Sequence, residues 1–245
     1  MKLLHLTDLH LVGCHAGKVR GVVTLRSFSA CLDAALERHP GIEALVLTGD
    51  LVQDDSEGYG LLRATLDRCG LPAVCLPGNH DVQPPFADSL THYAKTAGEV
   101  QLNGDWALMP LDSTVPGEEH GRLGKQRLAA LAELLERPGR PHLLLALHHP
   151  PVALGSAWID ALGLEDGTAL LELAQRSGRV RGILWGHAHQ AFDRIETGIT
   201  LMGTPSTCFQ FAPGVDEFAI DQHGPGYRII TLQADGRLET SVEWL

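Results

Sequence analysis

Five apolar, strand-like runs in this chain each end on a short polar motif of Asp, Asn, His or Gly. Asp8-Leu9-His10 follows the first run and Gly49-Asp50 the second. Gly78-Asn79-His80-Asp81 follows the third, His148-His149-Pro150 a fourth, and Gly186-His187-Ala188-His189 a fifth. In open α/β sheets, ligands bind beyond the carboxyl ends of the strands. Five such ends, each carrying metal-ligating or acid–base side chains, point to an α/β fold in which one edge gathers them all.

The rest of the chain is consistent with that. Lys2–Thr7 reads as a strand and Thr24–Arg38 as a helix, with Leu25, Phe28, Leu32, Ala35 and Leu36 on one face and Pro40-Gly41 as its stop. Ala44–Thr48 is a buried strand, Glu57–Arg68 a second helix ending near Gly70, and Pro72–Leu76 a third strand. This βαβαβ order predicts a mostly parallel sheet. Further on, Trp106–Leu111, Leu143–Leu147 and Arg181–Trp185 read as strands, and Gly124–Glu136 and Thr168–Gln175 as helices. After about residue 190 the texture becomes β-rich. Short strands are expected at Ala191–Glu196, Thr200–Met202, Tyr227–Leu232 and Glu239–Trp244. Residues 1–245 are read as one domain, with this part folded onto the same core.

Composition narrows the function. The chain has 245 residues, 44% hydrophobic, enough for one sizeable core. The net charge of −11 argues against a general nucleic-acid binder, which needs Lys and Arg against phosphates. No run is long enough for a membrane helix, and the first run lacks a basic n-region and a small-residue cleavage site. A cytoplasmic location is expected. Five cysteines, an odd number with no CxxC pair, make neither a disulfide framework nor a thiolate zinc site.

The chemistry lies in where the thirteen histidines fall. Taken singly, each motif is ordinary turn chemistry. Taken together they offer carboxylate, amide and imidazole donors, a set suited to borderline divalent metals such as Mn, Fe, Zn or Co. In Asp-x-His and His-x-His, residues two apart on an extended chain point the same way, so both side chains of a pair are expected to face one ion.

The ordered set Asp-x-His, Gly-Asp, Gly-Asn-His-Asp, His, Gly-His-x-His resembles that of the calcineurin-like metallophosphoesterases, from Lys2 to about Gln190. The resemblance implies a four-layer αββα sandwich, two mixed β-sheets flanked by helices, with a two-metal centre. Gly21–Ser27 and His148–Pro151 with Gly155–Asp160 are similar to segments of the class III cyclic-nucleotide phosphodiesterases. Gly203–Phe211, Asp216–Phe218 and Pro225–Arg228 are similar to the C-terminal signature of their proteobacterial 3′,5′-cyclic-AMP members.

By this resemblance, Asp8, His10 and His189 hold one metal, Asn79, His148 and His187 the other, and Asp50 bridges them. A hydroxide between the metals attacks phosphorus in line, giving 5′-AMP from cyclic AMP. His80 is the expected acid or electrostatic stabiliser at the leaving oxygen. Asp81 is read as a second-shell, turn or substrate-side residue. Phe209 and Arg228 are candidate substrate contacts, and His149 is read as a substrate contact or as a residue that supports a metal ligand. Trp158, Phe211 and Tyr227 are candidates for base stacking, and Arg20 and Arg26 for phosphate. Two divalent ions, Fe or Mn first and Zn or Co as alternatives, are the expected cofactors. The expected partner is a small phosphodiester, cyclic AMP first. Alternatives are a 2′,3′-cyclic nucleotide or a glycerophosphodiester, then a nuclease or a non-catalytic scaffold. Monomer and dimer remain open.

Overall fold

The computed structural model describes all 245 residues. The first half runs β1 (Lys2–Leu6), a small hairpin of β2 (Lys18–Val19) and β3 (Val22–Val23), α1 (Thr24–Arg38), β4 (Ile42–Thr48), α2 (Gly58–Cys69), β5 (Ala73–Leu76) and α3 (Pro85–Ser89). The second half runs β6 (Val100–Gln101), β7 (Trp106–Pro110), α4 (Gly124–Glu136), β8 (His142–Ala146), α5 (Ala157–Asp160), α6 (Gly167–Ser177) and β9 (Val180–Trp185). Four strands close the chain: β10 (Phe192–Glu196), β11 (Ile199–Gly203), β12 (Gly226–Leu232) and β13 (Leu238–Trp244). Helices α2 and α6 stop where glycine supplies a left-handed C-cap, at Gly70 and Gly178. No helix is long and apolar enough to cross a membrane.

The strands form two mixed sheets, and the βαβαβ stretch supplies the parallel run β1-β4-β5 of the first. The first has the order β13-β12-β1-β4-β5, the second β10-β11-β9-β8-β7-β6. In the first, β1, β4 and β5 run parallel and β12 and β13 add antiparallel on the β1 side; in the second, β7, β8, β9 and β11 run parallel between antiparallel β6 and β10. The β-rich C-terminal part is divided between them, β10 and β11 extending the second sheet and β12 and β13 the first.

Three apolar clusters separate four layers. Leu4, Leu6, Leu45 and Leu47 face α1 and α2, meeting Phe28, Leu32 and Leu62. Their neighbours Leu3, Ala44 and Val46 face the other way, meeting Leu108, Leu144 and Leu184 between the sheets. Leu143, Leu145 and Ile183 then face α4 and α6, meeting Leu131, Leu135 and Leu170. The period of two along each strand sorts the side chains into these layers. Each fully buried Leu or Phe contributes about 1.5–3 kcal/mol. The fold is the αββα sandwich.

A polar tie crosses between the sheets close to the strand ends. Arg228 on β12 is fully buried and donates to both carboxylate oxygens of Asp193 at 2.6 and 3.1 Å, and to the Phe192 and Gly203 carbonyls at 3.1 and 2.8 Å. Its Nε donates to Thr204 Oγ1, which also meets His5 Nδ1 at 2.7 Å. His5 Nε2 lies 2.7 Å from Thr48 Oγ1. Burial, then the charge of Arg228, pushes the His5 pKa down to about 3, so this imidazole is neutral at pH 7. Arg228 is therefore not a substrate contact: all its donors are spent inside the fold. Replacing it with Ala strands buried acceptors, and Asp193 keeps its charge with a route to water. Arg228→Ala is expected to lower unfolding free energy in urea by about 3 kcal/mol, with KM little changed in the fraction that stays folded. A raised KM with unchanged stability would return Arg228 to the substrate.

Candidate metal centre and its cavity

The carboxyl ends of β1, β4 and β5 in one sheet meet those of β8 and β9 in the other, and all five motifs lie on this shared edge. Close approach is built in by glycine. A Cβ on Gly186 would run into Thr7 Oγ1 and Asp8 Oδ2, and one on Gly78 into Asp50 Oδ1 and the His148 ring. Where Gly186 lets the sheets touch, His187 N donates to both Asp8 oxygens at 3.0 Å.

Asp8-Leu9-His10 and His187-Ala188-His189 are not extended chain. Asp8 and His10 have φ of 52 and 49, and His187 and His189 have 64 and 48. Each pair sits on left-handed backbone, with Leu9 and Ala188 buried between. This turn sends His187 and His189 to different neighbours, so His-x-His does not face one point. Asp50 is left-handed as well, with φ 48. Asp and His tolerate this region better than most side chains, at about 1–2 kcal/mol per residue.

The seven donors form two sets. In one, His10 Nε2 and His189 Nε2 are 3.0 Å apart, and Asp8 Oδ1 is 3.3 Å from His189 Nε2. In the other, Asn79 Oδ1 is 3.1 Å from both His148 Nε2 and His187 Nδ1, which are 3.2 Å from each other. Asp50 lies between: Oδ2 is 3.8 Å from His10 Nε2, and Oδ1 is 3.4 Å from His148 Nε2. Ligands about 2.1 Å from one ion stand about 3.0–3.4 Å from each other. All but the 3.8 Å between Asp50 and His10 match the edges of such a polyhedron, and the residues fit two divalent ions sharing Asp50.

The surroundings orient the rings. His148 Nδ1 donates to the Thr48 carbonyl at 2.8 Å and His189 Nδ1 to the Phe209 carbonyl at 2.6 Å, so each Nε2 faces inward. His10 Nδ1 and His187 Nε2 are buried without a hydrogen-bond partner, a state that pairing within the protein alone leaves unsatisfied. Burial raises the Asp50 carboxyl, but His148 and His10 outweigh it and hold it well below the carboxylate range. Asp8 is lowered too, burial being outweighed chiefly by His189. Both are anionic and ready for cations.

His80 stands over the two sets, about a third exposed. Its Nδ1 lies 3.0 Å from Asp54 Oδ2 and 3.0 Å from Gln53 Nε2, and its backbone N–H donates to Asp50 Oδ1 at 2.9 Å. Burial alone lowers its pKa; Asp50 and Asp54 more than reverse this, leaving it above the ordinary value. Asp54 and Gln53 were missed in the sequence. They lie just beyond Gly49-Asp50 with nothing to mark them, and only the fold brings them to His80.

For Asp81 and His149 the supporting alternative holds and the substrate contact does not. Asp81 does not face substrate. Its oxygens accept from the backbone N–H groups of Gly78, Leu51 and Val52 and from Tyr59 Oη, at 2.8 to 3.3 Å. It clamps the Asn79-His80 turn onto the loop of Asp50. His149 is fully buried, its Nδ1 2.8 Å from Ser113 Oγ and its Nε2 donating to the Glu119 carbonyl at 3.1 Å. Its ring backs that of His187 at 4.6 Å, so it supports a candidate ligand and touches no substrate. Tyr227 is likewise buried and bonded to Glu243, away from the site.

Phe209 does line the cavity, which has a volume of about 480 Å³. His10, Asp50, Asn79, His80, His187 and His189, with Arg20, Gln53 and Glu119, form its polar part, and Trp158, Phe209, Phe211 and Phe218 its aromatic wall. Phe211 stacks on His189 at 4.3 Å and Phe209 on His10 at 5.7 Å, so the wall is continuous with the donor sets. The Arg20 guanidinium sits 4.7 Å from the centre of Phe218 and 5.5 Å from that of Phe209. The Gly203–Phe211 signature gains a structural reason. Ser206 Oγ donates to the Asp8 carbonyl and Gln210 closes the turn onto Ser206, which presents Phe209 and Phe211 inward.

If Asp81 acts as a clamp, Asp81→Asn leaves a chain that folds but holds metal about 10–100-fold more weakly. Metal titration followed by calorimetry reads this directly. Unchanged metal affinity with a raised KM would make Asp81 a substrate residue after all.

The model of the calcineurin-like phosphoesterase family matches residues 1–191. The chain is 40% identical to the 3′,5′-cyclic adenosine monophosphate phosphodiesterase CpdA of Vibrio vulnificus, covering 100% of this chain and 90% of that one. The proteins of the same name from Escherichia coli K12 and Pseudomonas aeruginosa are 36% and 35% identical, covering 100% and 98% of this chain and 90% and 88% of theirs. Among solved structures, a dimetal phosphatase from Danio rerio superposes with a TM-score of 0.65 at 15% identity, covering 94% of each chain. The purple acid phosphatase PPD1 of yellow lupin does so with 0.69 at 13% identity, covering 99% of this chain and 51% of that one. These structures share the fold. On the family match and its full-length relatives, the chain belongs to the calcineurin-like phosphoesterases.

Proposed function

We propose that this protein hydrolyses 3′,5′-cyclic AMP to 5′-AMP. The observation that carries the chemistry is the pair of donor sets joined by Asp50 at the floor of a cavity, with His80 above them. The full-length likeness to phosphodiesterases of that substrate supports the nucleotide. Asp8, His10 and His189 would hold one divalent ion and Asn79, His148 and His187 the second, with Asp50 shared between them. Fe and Mn suit this mixed oxygen and nitrogen set, and Zn or Co can occupy it. When bound, the ions lower the pKa of a water, orient the ester and stabilise charge in the transition state.

The chain's own groups supply the rest. Asp54 accepts the proton on His80 Nδ1, which fixes the ring and turns Nε2 towards the cavity as the proton source for the leaving oxygen. With two divalent ions bound, the two ionised carboxylates would leave the floor positive, which would favour a phosphodiester anion on an otherwise acidic protein. The aromatic wall offers stacking to a base, at about 1–3 kcal/mol per base. Phe209 is the substrate contact of this reading. The free cysteines are compatible with a reducing compartment, and we place the reaction in the cytoplasm.

The test is hydrolysis by the purified, Mn-supplemented protein of 3′,5′-cyclic AMP beside 2′,3′-cyclic AMP and bis(p-nitrophenyl) phosphate. Preference for 3′,5′-cyclic AMP is expected, and His80→Ala should lower its turnover about 10²–10⁴-fold with metals still bound. Turnover of the generic diester alone would retain the centre and overturn the substrate. Normal turnover by His80→Ala would remove its role as the acid.

A further inference from the structure

The second sheet ends in an open edge at β10. Four of its five residues are exposed, and Ile195, at 75%, is the most exposed large apolar side chain of the chain. No strand pairs with β10 on its outer side.

Its backbone groups face outward in a defined pattern. The β10–β11 hairpin turns through Thr197-Gly198, with φ of 51 and 83, the left-handed pair of a two-residue type I′ turn. In such a hairpin the flanking pair Glu196↔Ile199 exchanges both backbone bonds, and alternation extends this to Arg194↔Leu201 and Phe192↔Gly203. The N–H and C=O groups of Asp193 and Ile195 then point away from β11, into the open edge.

Edge strands are commonly guarded by charges that repel a second strand. Here the charges alternate in sign instead. When two copies pair antiparallel about Ile195, Arg194 of one faces Glu196 of the other, twice over. The central Ile195 pair exchanges both backbone bonds. Arg194 and Glu196 fall in the neighbouring non-hydrogen-bonded pairs, where side chains are closest. The two already lie 3.0 Å apart within one chain, so pairing produces a four-charge cluster of alternating sign. Any other centre within Asp193–Glu196 sets a like charge against itself. Asp193 remains free to take part through its backbone, because its carboxylate is held by Arg228.

We propose that this chain self-associates through β10, as an antiparallel two-fold pair centred on Ile195 that joins two six-stranded sheets edge to edge. One short strand pair is a small interface, so the association is concentration-dependent rather than permanent.

Sedimentation velocity tests this on the full chain, from micromolar to submillimolar concentration. The wild type should move from one chain towards two. Arg194→Glu and Glu196→Arg should each remain single, because each opposes like charges across the pair. Mixed in equal amounts, the two variants should associate, since the acidic edge of one meets the basic edge of the other. That rescue also shows both variants to be folded. A wild type that stays single at every concentration overturns the proposal. So does association of the separate variants as strong as the wild type's, or a mixture that does not associate.

Discussion

The arrangement depends on one carboxylate placed between two sets of buried donors. Asp50 leaves β4 on left-handed backbone, directs one oxygen to each set, and accepts the His80 N–H on Oδ1. Gly78 beside it has no room for a side chain. Of the eight non-glycine residues with positive φ, five are candidate ligands: Asp8, His10, Asp50, His187 and His189. At about 1–2 kcal/mol each, this strain is concentrated where charge must converge. The apolar layers on either side of both sheets supply the stability that holds it.

Around that centre, buried polar groups fix the position of each element. Asp81 ties the Asn79-His80 turn to the Asp50 loop through backbone amides. Thr48 and Phe209 carbonyls set two imidazole tautomers. Arg228, Thr204 and His5 tie the sheets together beside the strand ends, with His5 kept neutral by burial. Residues that look reactive in sequence thus act on geometry, by holding the residues that face the cavity.

That distinction explains what sequence could and could not disclose. The motifs were legible because each follows a near-continuous apolar strand, buried on both faces, and falls at its carboxyl end. The helices α1, α2, α4 and α6 were legible from apolar spacing and from stops such as Gly70. The division into two sheets was accessible only through family resemblance, since the βαβαβ order is equally that of one sheet. Arg228 was misread, and Asp81 left between alternatives, because a sequence does not show where a buried charge finds its partners. Asp54 was overlooked because its role arises from contact with His80, 26 residues away. The extended-chain argument for His187 and His189 failed because it assumed strand geometry to persist past the strand's end.

The most direct measurement of the account is electron paramagnetic resonance of the Mn(II)-loaded protein, alongside metal content per chain. The account predicts two ions per chain with exchange-coupled spins, because the Asp50 carboxylate joins both sites. It also predicts that Asp50→Asn weakens or abolishes that coupling. A single ion per chain, or two ions whose spins are uncoupled in the wild type, would contradict it.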